Sequence, residues 1–178
     1  MTVRMEPAFD LRSFRRALGH FPTGVCVVTS QVERARVGMT VSSFNSLSLE
    51  PPLVLFSIDG KGAGLPLWER AEGYAVNVLA ENQKDLSDRF AKSGTNKWEG
   101  TTYADGLFGA PVLPGVAAVL ECAARATHAG GDHVLFIAEV KLFWTSADRR
   151  PLVFSKGRYA KLHETEFAAS IWPLDIHY

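Results

Sequence analysis

Charge imbalance, clustered cysteines and long apolar runs are all missing from this sequence, and each absence removes a class of function. Across 178 residues, 19 lysines and arginines balance 19 aspartates and glutamates. With no net field and no local basic run, neither nucleic acid nor an anionic membrane is attracted. The opening MTVRMEPAFDLRSFRR lacks the apolar block of a signal peptide. No later run reaches the roughly 20 residues that span a bilayer, so the expected location is the cytoplasm. Cys26 and Cys122 sit in the apolar runs GVCVVTS and AVLECAA, without partners at metal-ligand spacing. They read as buried free thiols. His20, His128, His133, His163 and His177 form no cluster with carboxylates on one helix face, so no metal is expected. Neither a Gly-x-Ser-x-Gly elbow nor a Walker phosphate loop occurs. Chemistry on small molecules remains.

What is present suits one domain over residues 1–178, with a core over about 14–162 and a tail over 163–178. An apolar content of 47% supports a real core, and no linker or repeat divides the chain. Asp10 can N-cap a first helix with Leu11, Phe14 and Leu18 on one face, Arg12, Arg15 and Arg16 on the other, and Gly19 at its end. β-Branched, apolar runs follow: VCVVTS, residues 37–49, and PLVLFSI opened by Pro51 and Pro52. LPLWERAEG suits a short helix with Pro66 in its first turn and Gly73 after its end. YAVNVLA reads as a strand. ENQKDLSDRFAKSG reads as a helix that spaces Leu86 and Phe90 four apart and closes at Gly94. Residues 95–115 are polar and rich in glycine and proline, as in a loop with room for mobility. Two long strands, 117–128 and 133–144, are joined by AGGD as a hairpin, and RPLVFSKGRYAKL adds one or two more. The fold class is mainly β: a small antiparallel barrel with a few peripheral helices. The apolar tail AASIWPLDIHY could dock, for instance on a partner subunit.

Three stretches carry candidate chemistry. Read as one strand, residues 37–49 place Thr40, Ser42, Ser46 and Ser48 opposite Val41, Leu47 and Leu49. Such hydroxyls can bind a phosphate or the edge of a polar ring, or simply face water. SIDGKGAGLPLW sets Gly60, Gly62, Gly64 and Lys61 ahead of a helix, which suits either an anion cradle or a surface turn. GGDHVLF sets His133 at the start of an apolar strand beside Asp132, as a donor or acid, or as a turn residue.

Together, FRRALGHFPTGVCVVTS, GMTVSSFNSLSLEPPLVLFSI, YAVNVLAENQKDLSDRFA, GDHVLFIAEV and RPLVFSKGRYAKL make the chain resemble the short flavin reductases of two-component monooxygenases. The resemblance implies an FMN-binding split β-barrel and a homodimer with flavin sites near the subunit interface. It also implies reduction of FMN or FAD by NADH or NADPH, with reduced flavin passed to a monooxygenase component. By the matching motifs, Gly38, Met39, Thr40, Ser42 and Ser43 would lie along the flavin. Ser57, Ile58, Asp59, Gly60, Lys61, Gly62, Ala63 and Gly64 would run under its phosphate. Asn77, Arg89, Phe90 and Ala91 would border the same pocket. His133 would face the nicotinamide, and Phe154, Ser155, Lys156, Gly157 and Tyr159 would help bind the dinucleotide. Relatives often carry hydroxyls where this chain has Gly62 and Gly64, so phosphate binding here would lean on backbone N–H groups and Lys61. The flavin accepts the hydride itself, so the protein need only align the reactants. A flavin- or haem-binding module without turnover, and an oxidase that retains FMN, are the alternatives.

Overall fold

The computed structural model describes residues 9–94 and 96–162. The tail over 163–178, with His163 and His177, lies outside the described residues. Helix α1 (Leu11–Leu18) starts as its sequence requires: the Asp10 carboxylate accepts from the backbone N–H groups of Arg12 and Ser13 at 3.1 and 3.0 Å. Its apolar face stays largely exposed, with Leu11, Phe14 and Leu18 at 65%, 45% and 57% and the Phe14 ring tilted against Phe9 at 5.2 Å. β1 (Thr23–Gly24), β2 (Cys26–Val32), β3 (Ala35–Val41), β4 (Asn45–Leu49) and β5 (Pro52–Asp59) follow. α2 (Leu65–Glu69), β6 (Gly73–Val78) and α3 (Lys84–Ala91) come next. The short ribbon of β7 (Ala104–Asp105) and β8 (Pro111–Val112) precedes the long β9 (Ala118–Gly130) and β10 (His133–Thr145). β11 (Val153–Ser155) and β12 (Arg158–Ala160) form a terminal hairpin.

Residues 37–49 are not one strand. β3 lies at one end of the sheet order β3-β2-β6-β9-β10-β5-β4 and β4 at the other. Ser42, Ser43 and Phe44 carry the chain between them, which resets the two-residue period and breaks the single hydroxyl face. The crossing closes the sheet on itself. The Ser43 hydroxyl accepts from Ser57 N–H at 3.0 Å and donates to the Ser57 carbonyl at 3.1 Å, tying the end of β3 to β5. Two further expectations are corrected. Helix α2 is shorter than expected, stopping at Glu69 with Arg70 as its cap, and Gly73 follows it as the first residue of β6. The segment from Asn96 to Val116 is no free loop: Trp98, Tyr103, Leu113 and Val116 join an apolar cluster outside the barrel.

Two apolar clusters explain why the strands hide their alternation. Cys26, Val28, Phe56, Tyr74, Val76 and Phe136 fill the barrel. Val25, Val27, Leu79 and Phe90 sit in the outer cluster under α3 and the segment after it. Central strand β2 is therefore buried on both faces and reads as a continuous apolar run. No helix among the described residues is long and apolar enough to cross a membrane.

Candidate functional site

The site forms along β3, where α3 covers the barrel. Gly38 is required there, because a Cβ on it would lie 2.5 Å from Phe90 Cε1 and 3.1 Å from Trp98 Cζ2. Phe90, fully buried and edge-on to Trp98 at 5.1 Å, thus seats the helix on bare backbone. Beside this contact lies a cleft of about 410 Å³, whose walls include Gly38, Met39, Gly62, Gly64, Lys97 and Trp98. Lys97 is half-buried, and its ammonium donates to the carbonyls of Phe90 (2.8 Å) and Gly38 (3.1 Å). Burial lowers its pKa, so an anion beside it would stabilise the charged form. Arg36 reaches the same cleft and also lies 4.8 Å over the Tyr103 ring. The cleft has the size of a small-ligand site, with one cationic, glycine-walled end.

A second hollow of about 180 Å³ lies farther along the same strand, with Thr40, Ser42, Ala91, Phe154 and Tyr159 among its walls. The Thr40 hydroxyl donates to the Ser87 carbonyl at 2.7 Å, which docks α3. The Tyr159 hydroxyl donates to Asp88 Oδ1 at 2.7 Å and lies 2.9 Å from Ser87 Oγ. Lys84, and then Tyr159, hold the Asp88 carboxyl below the ordinary carboxylate range. These contacts fix the terminal hairpin against α3.

At the far end of β5 the chain makes a tight turn: Asp59 Oδ1 accepts from Lys61 N–H at 2.8 Å and the Asp59 carbonyl from Gly62 N–H at 3.0 Å. The β9–β10 hairpin meets this turn. His133 pairs with Asp59 in register, and Gly60 N–H donates to the Asp132 carbonyl at 2.9 Å. Asp132 Oδ1 lies 2.8 Å from His133 Nδ1, which directs that nitrogen to the carboxylate and leaves Nε2 for other contacts. The same hydrogen bond holds the Asp132 carboxyl low.

The structure therefore gathers Gly38, Met39, Gly62, Ala63 and Gly64 in one cleft and Thr40, Ser42, Ala91, Phe154 and Tyr159 in the next. Asp59, Gly60 and Lys61 stand with His133 at the hairpin. Other residues named from the sequence sit apart. Asn77 is fully buried; its amide donates to the Val27 carbonyl at 3.0 Å and its oxygen accepts from Leu113 N–H at 2.8 Å. Its part is to anchor the ribbon segment. Ile58 is buried in the barrel, Ser57 is engaged by Ser43, and Arg89 faces outward to the Glu99 carbonyl and Thr101 hydroxyl. Lys156 and Gly157 turn away to a separate hollow, beyond Ser155 at the end of β11. Lys97 and Trp98 were missed from the sequence. Their one trace was a cation beside an aromatic residue in an otherwise polar stretch.

An antiparallel barrel closed by a strand crossing, with a cleft along its helix-covered edge strand, is the split-barrel fold of the flavin reductases. The chain belongs to the flavin reductase family: the model for the flavin reductase like domain matches residues 18–163. It is an oxidoreductase of that kind. It is similar to the FMN reductase (NADH) SmoA of Agrobacterium fabrum, 41% identical over 150 residues, 84% of this chain and 85% of that protein. The reductase subunit HsaB of a flavin-dependent monooxygenase from Rhodococcus jostii is 35% identical over 169 residues, 95% of this chain and 87% of that protein. Among solved structures, the NADH:FAD oxidoreductase SgcE6 of Streptomyces globisporus, in complex with NAD and FAD fragments, superposes with a TM-score of 0.83. It has 34% identity, with 90% of this chain and 96% of that one covered.

Proposed function

We propose that this reductase oxidises NADH or NADPH and reduces FMN or FAD as a dissociable substrate, handing the reduced flavin to a separate monooxygenase component. One observation carries the reading: two hollows on a single strand, a cationic glycine-walled cleft at Gly38 and a hydroxyl- and aromatic-lined one at Thr40 and Ser42. A flavin laid along β3 would place its phosphate by Gly62, Gly64, Lys97 and Arg36, and its ring system toward Met39, Thr40 and Ser42. The bound flavin would supply the hydride-accepting centre. The chain's own residues bind, orient and exclude water, and none needs to be a strong nucleophile. His133, oriented through Nδ1 by Asp132, would position the nicotinamide or hold a proton at Nε2. The names of the relatives support both the flavin and the pyridine nucleotide, since one reads FMN and NADH and another was solved with NAD and FAD fragments.

The same reading makes the protein a single-domain cytoplasmic homodimer. Leu49, Phe143 and Trp144, at 76%, 68% and 40% exposure, supply apolar surface for a second copy. The test is NADH and NADPH consumption by dialysed protein with and without added FMN. Turnover that needs added flavin is expected. A yellow protein active without it would overturn the dissociable-flavin version, and no oxidation under either condition would favour a binding module.

A further inference from the structure

We propose that segment 163–178 of this same chain lies on helix α1 and covers its apolar face. The sequence makes α1 amphipathic: Leu11, Phe14 and Leu18, at i, i+3 and i+7, share one face, and Arg12, Arg15 and Arg16 edge it. Phe9 and Phe21 stand at either end, and all five apolar side chains are exposed.

The helix needs a cover. A helix shorter than about 12–15 residues is marginal in water, and most helical stability in proteins comes from packing one face. α1 has eight residues, and none of them is buried. Its two ends are tied, by the Asp10 cap and by Lys156 N–H, which donates to the Gly19 carbonyl at 2.7 Å. The face between them is left to another segment.

Position, reach and chemistry choose the occupant. The β11–β12 hairpin, whose tip meets the end of α1, also leads the chain out: β12 ends at Ala160, and Leu162 is exposed. From Lys156 to Leu162 the chain advances about 20 Å at most. The 16 residues that follow reach roughly 50 Å when extended, and α1 is about 12 Å long, so the segment can return and still cover the helix. Its sequence, HETEFAASIWPLDIHY, supplies Phe167, Ile171, Trp172, Leu174 and Ile176. It also holds Glu164, Glu166 and Asp175, with no lysine or arginine. That charge complements the three arginines, none of which enters an ion pair among the described residues. Two copies of α1 packed face to face about a two-fold axis would instead oppose arginine to arginine. Seated on α1, the segment straps the first helix to the terminal hairpin.

The test uses the full-length chain with Phe14→p-benzoylphenylalanine, irradiated, separated on a denaturing gel and digested for mass spectrometry. A cross-link from position 14 to residues 163–178, in a band of single-chain mass, is expected. A cross-link in a band of two-chain mass assigns the face to a second copy and overturns the proposal, as does the absence of any cross-link to that segment. A second measurement follows amide hydrogen exchange in the parent and in the Ile171→Ser/Trp172→Ser/Leu174→Ser variant. Protection of the α1 amides from Phe14 to Leu18 is expected to fall about tenfold, while β2 and β6 exchange as before and so report that the variant folds. Equal protection of α1 in the two proteins overturns the proposal. Should the variant fail to fold, the cross-link decides alone.

Discussion

Replacing Lys97 with methionine separates phosphate recognition from the rest of flavin binding. The ammonium sits half-buried in the larger cleft, held by the Phe90 and Gly38 carbonyls at 2.8 and 3.1 Å, so its position is set before any ligand arrives. Methionine keeps much of the stem and removes the charge. A charge-assisted hydrogen bond to a phosphate contributes about 1.5 to 3 kcal/mol, so the dissociation constant for FMN should rise about 10- to 150-fold. Riboflavin, which has no phosphate, should bind within about twofold of its original affinity. Fluorescence titration of both flavins against both proteins gives the ratio directly. Equal losses for FMN and riboflavin would mean that the variant merely collapses the cleft, and no loss for FMN would remove Lys97 from the site. The pH dependence has a definite sign. Because burial lowers the lysine pKa from 10.5, the charged form is disfavoured in the folded state. Parent stability should therefore gain, relative to the variant, as pH rises through the window below 10.5.

Gly38→Ala forces a methyl to 2.5 Å from the buried Phe90 ring. Overpacking of about 1 to 3 kcal/mol should lower Tm by roughly 2 to 10 °C, read by calorimetry. Gly24→Ala is its control: with nothing within 4 Å of the added Cβ, an equal loss there would refute the steric argument. Burial pushes the thiols of Cys26 and Cys122 up to about 12. At pH 8 an aromatic disulfide reagent should label them about a thousandfold more slowly than free thiols until denaturant is added, and prompt labelling of the native protein would contradict their burial. His133→Ala should slow turnover with little change in FMN affinity; an unchanged rate and KM for NADH would remove it from the mechanism. The Asp132 carboxyl is held below its ordinary 3.8 by His133. This contact contributes stability above that value and loses it as pH falls through the lowered one, so parent and Asp132→Asn acid-unfolding curves should differ in slope only below about pH 4.

The strand content, the β9–β10 hairpin and the capped first helix were legible because each depends on local chemistry. Asp10 finds its N–H groups two and three residues away. The left-handed Gly131, at φ 74°, turns the hairpin that meets Asp59. The hydroxyl row was misread for the opposite reason. Thr40, Ser43 and Ser48 bond to Ser87, Ser57 and Glu50 respectively, and the first two partners are 47 and 14 residues away. Alternation along a sequence cannot report that a chain leaves one edge of a sheet for the other between two serines. Of the five hydroxyl residues from Thr40 to Ser48, Ser42 is left exposed at a hollow, while Thr40 lines the same hollow with its proton already committed to α3. Thr40 can therefore offer a ligand its oxygen lone pair, whereas Ser42 can donate or accept. Substituting Ser42 by alanine should then weaken flavin binding alone, while Thr40→Val should also loosen the helix that covers Gly38. Matched Tm values for the two variants would show that the Thr40 contact does not hold α3.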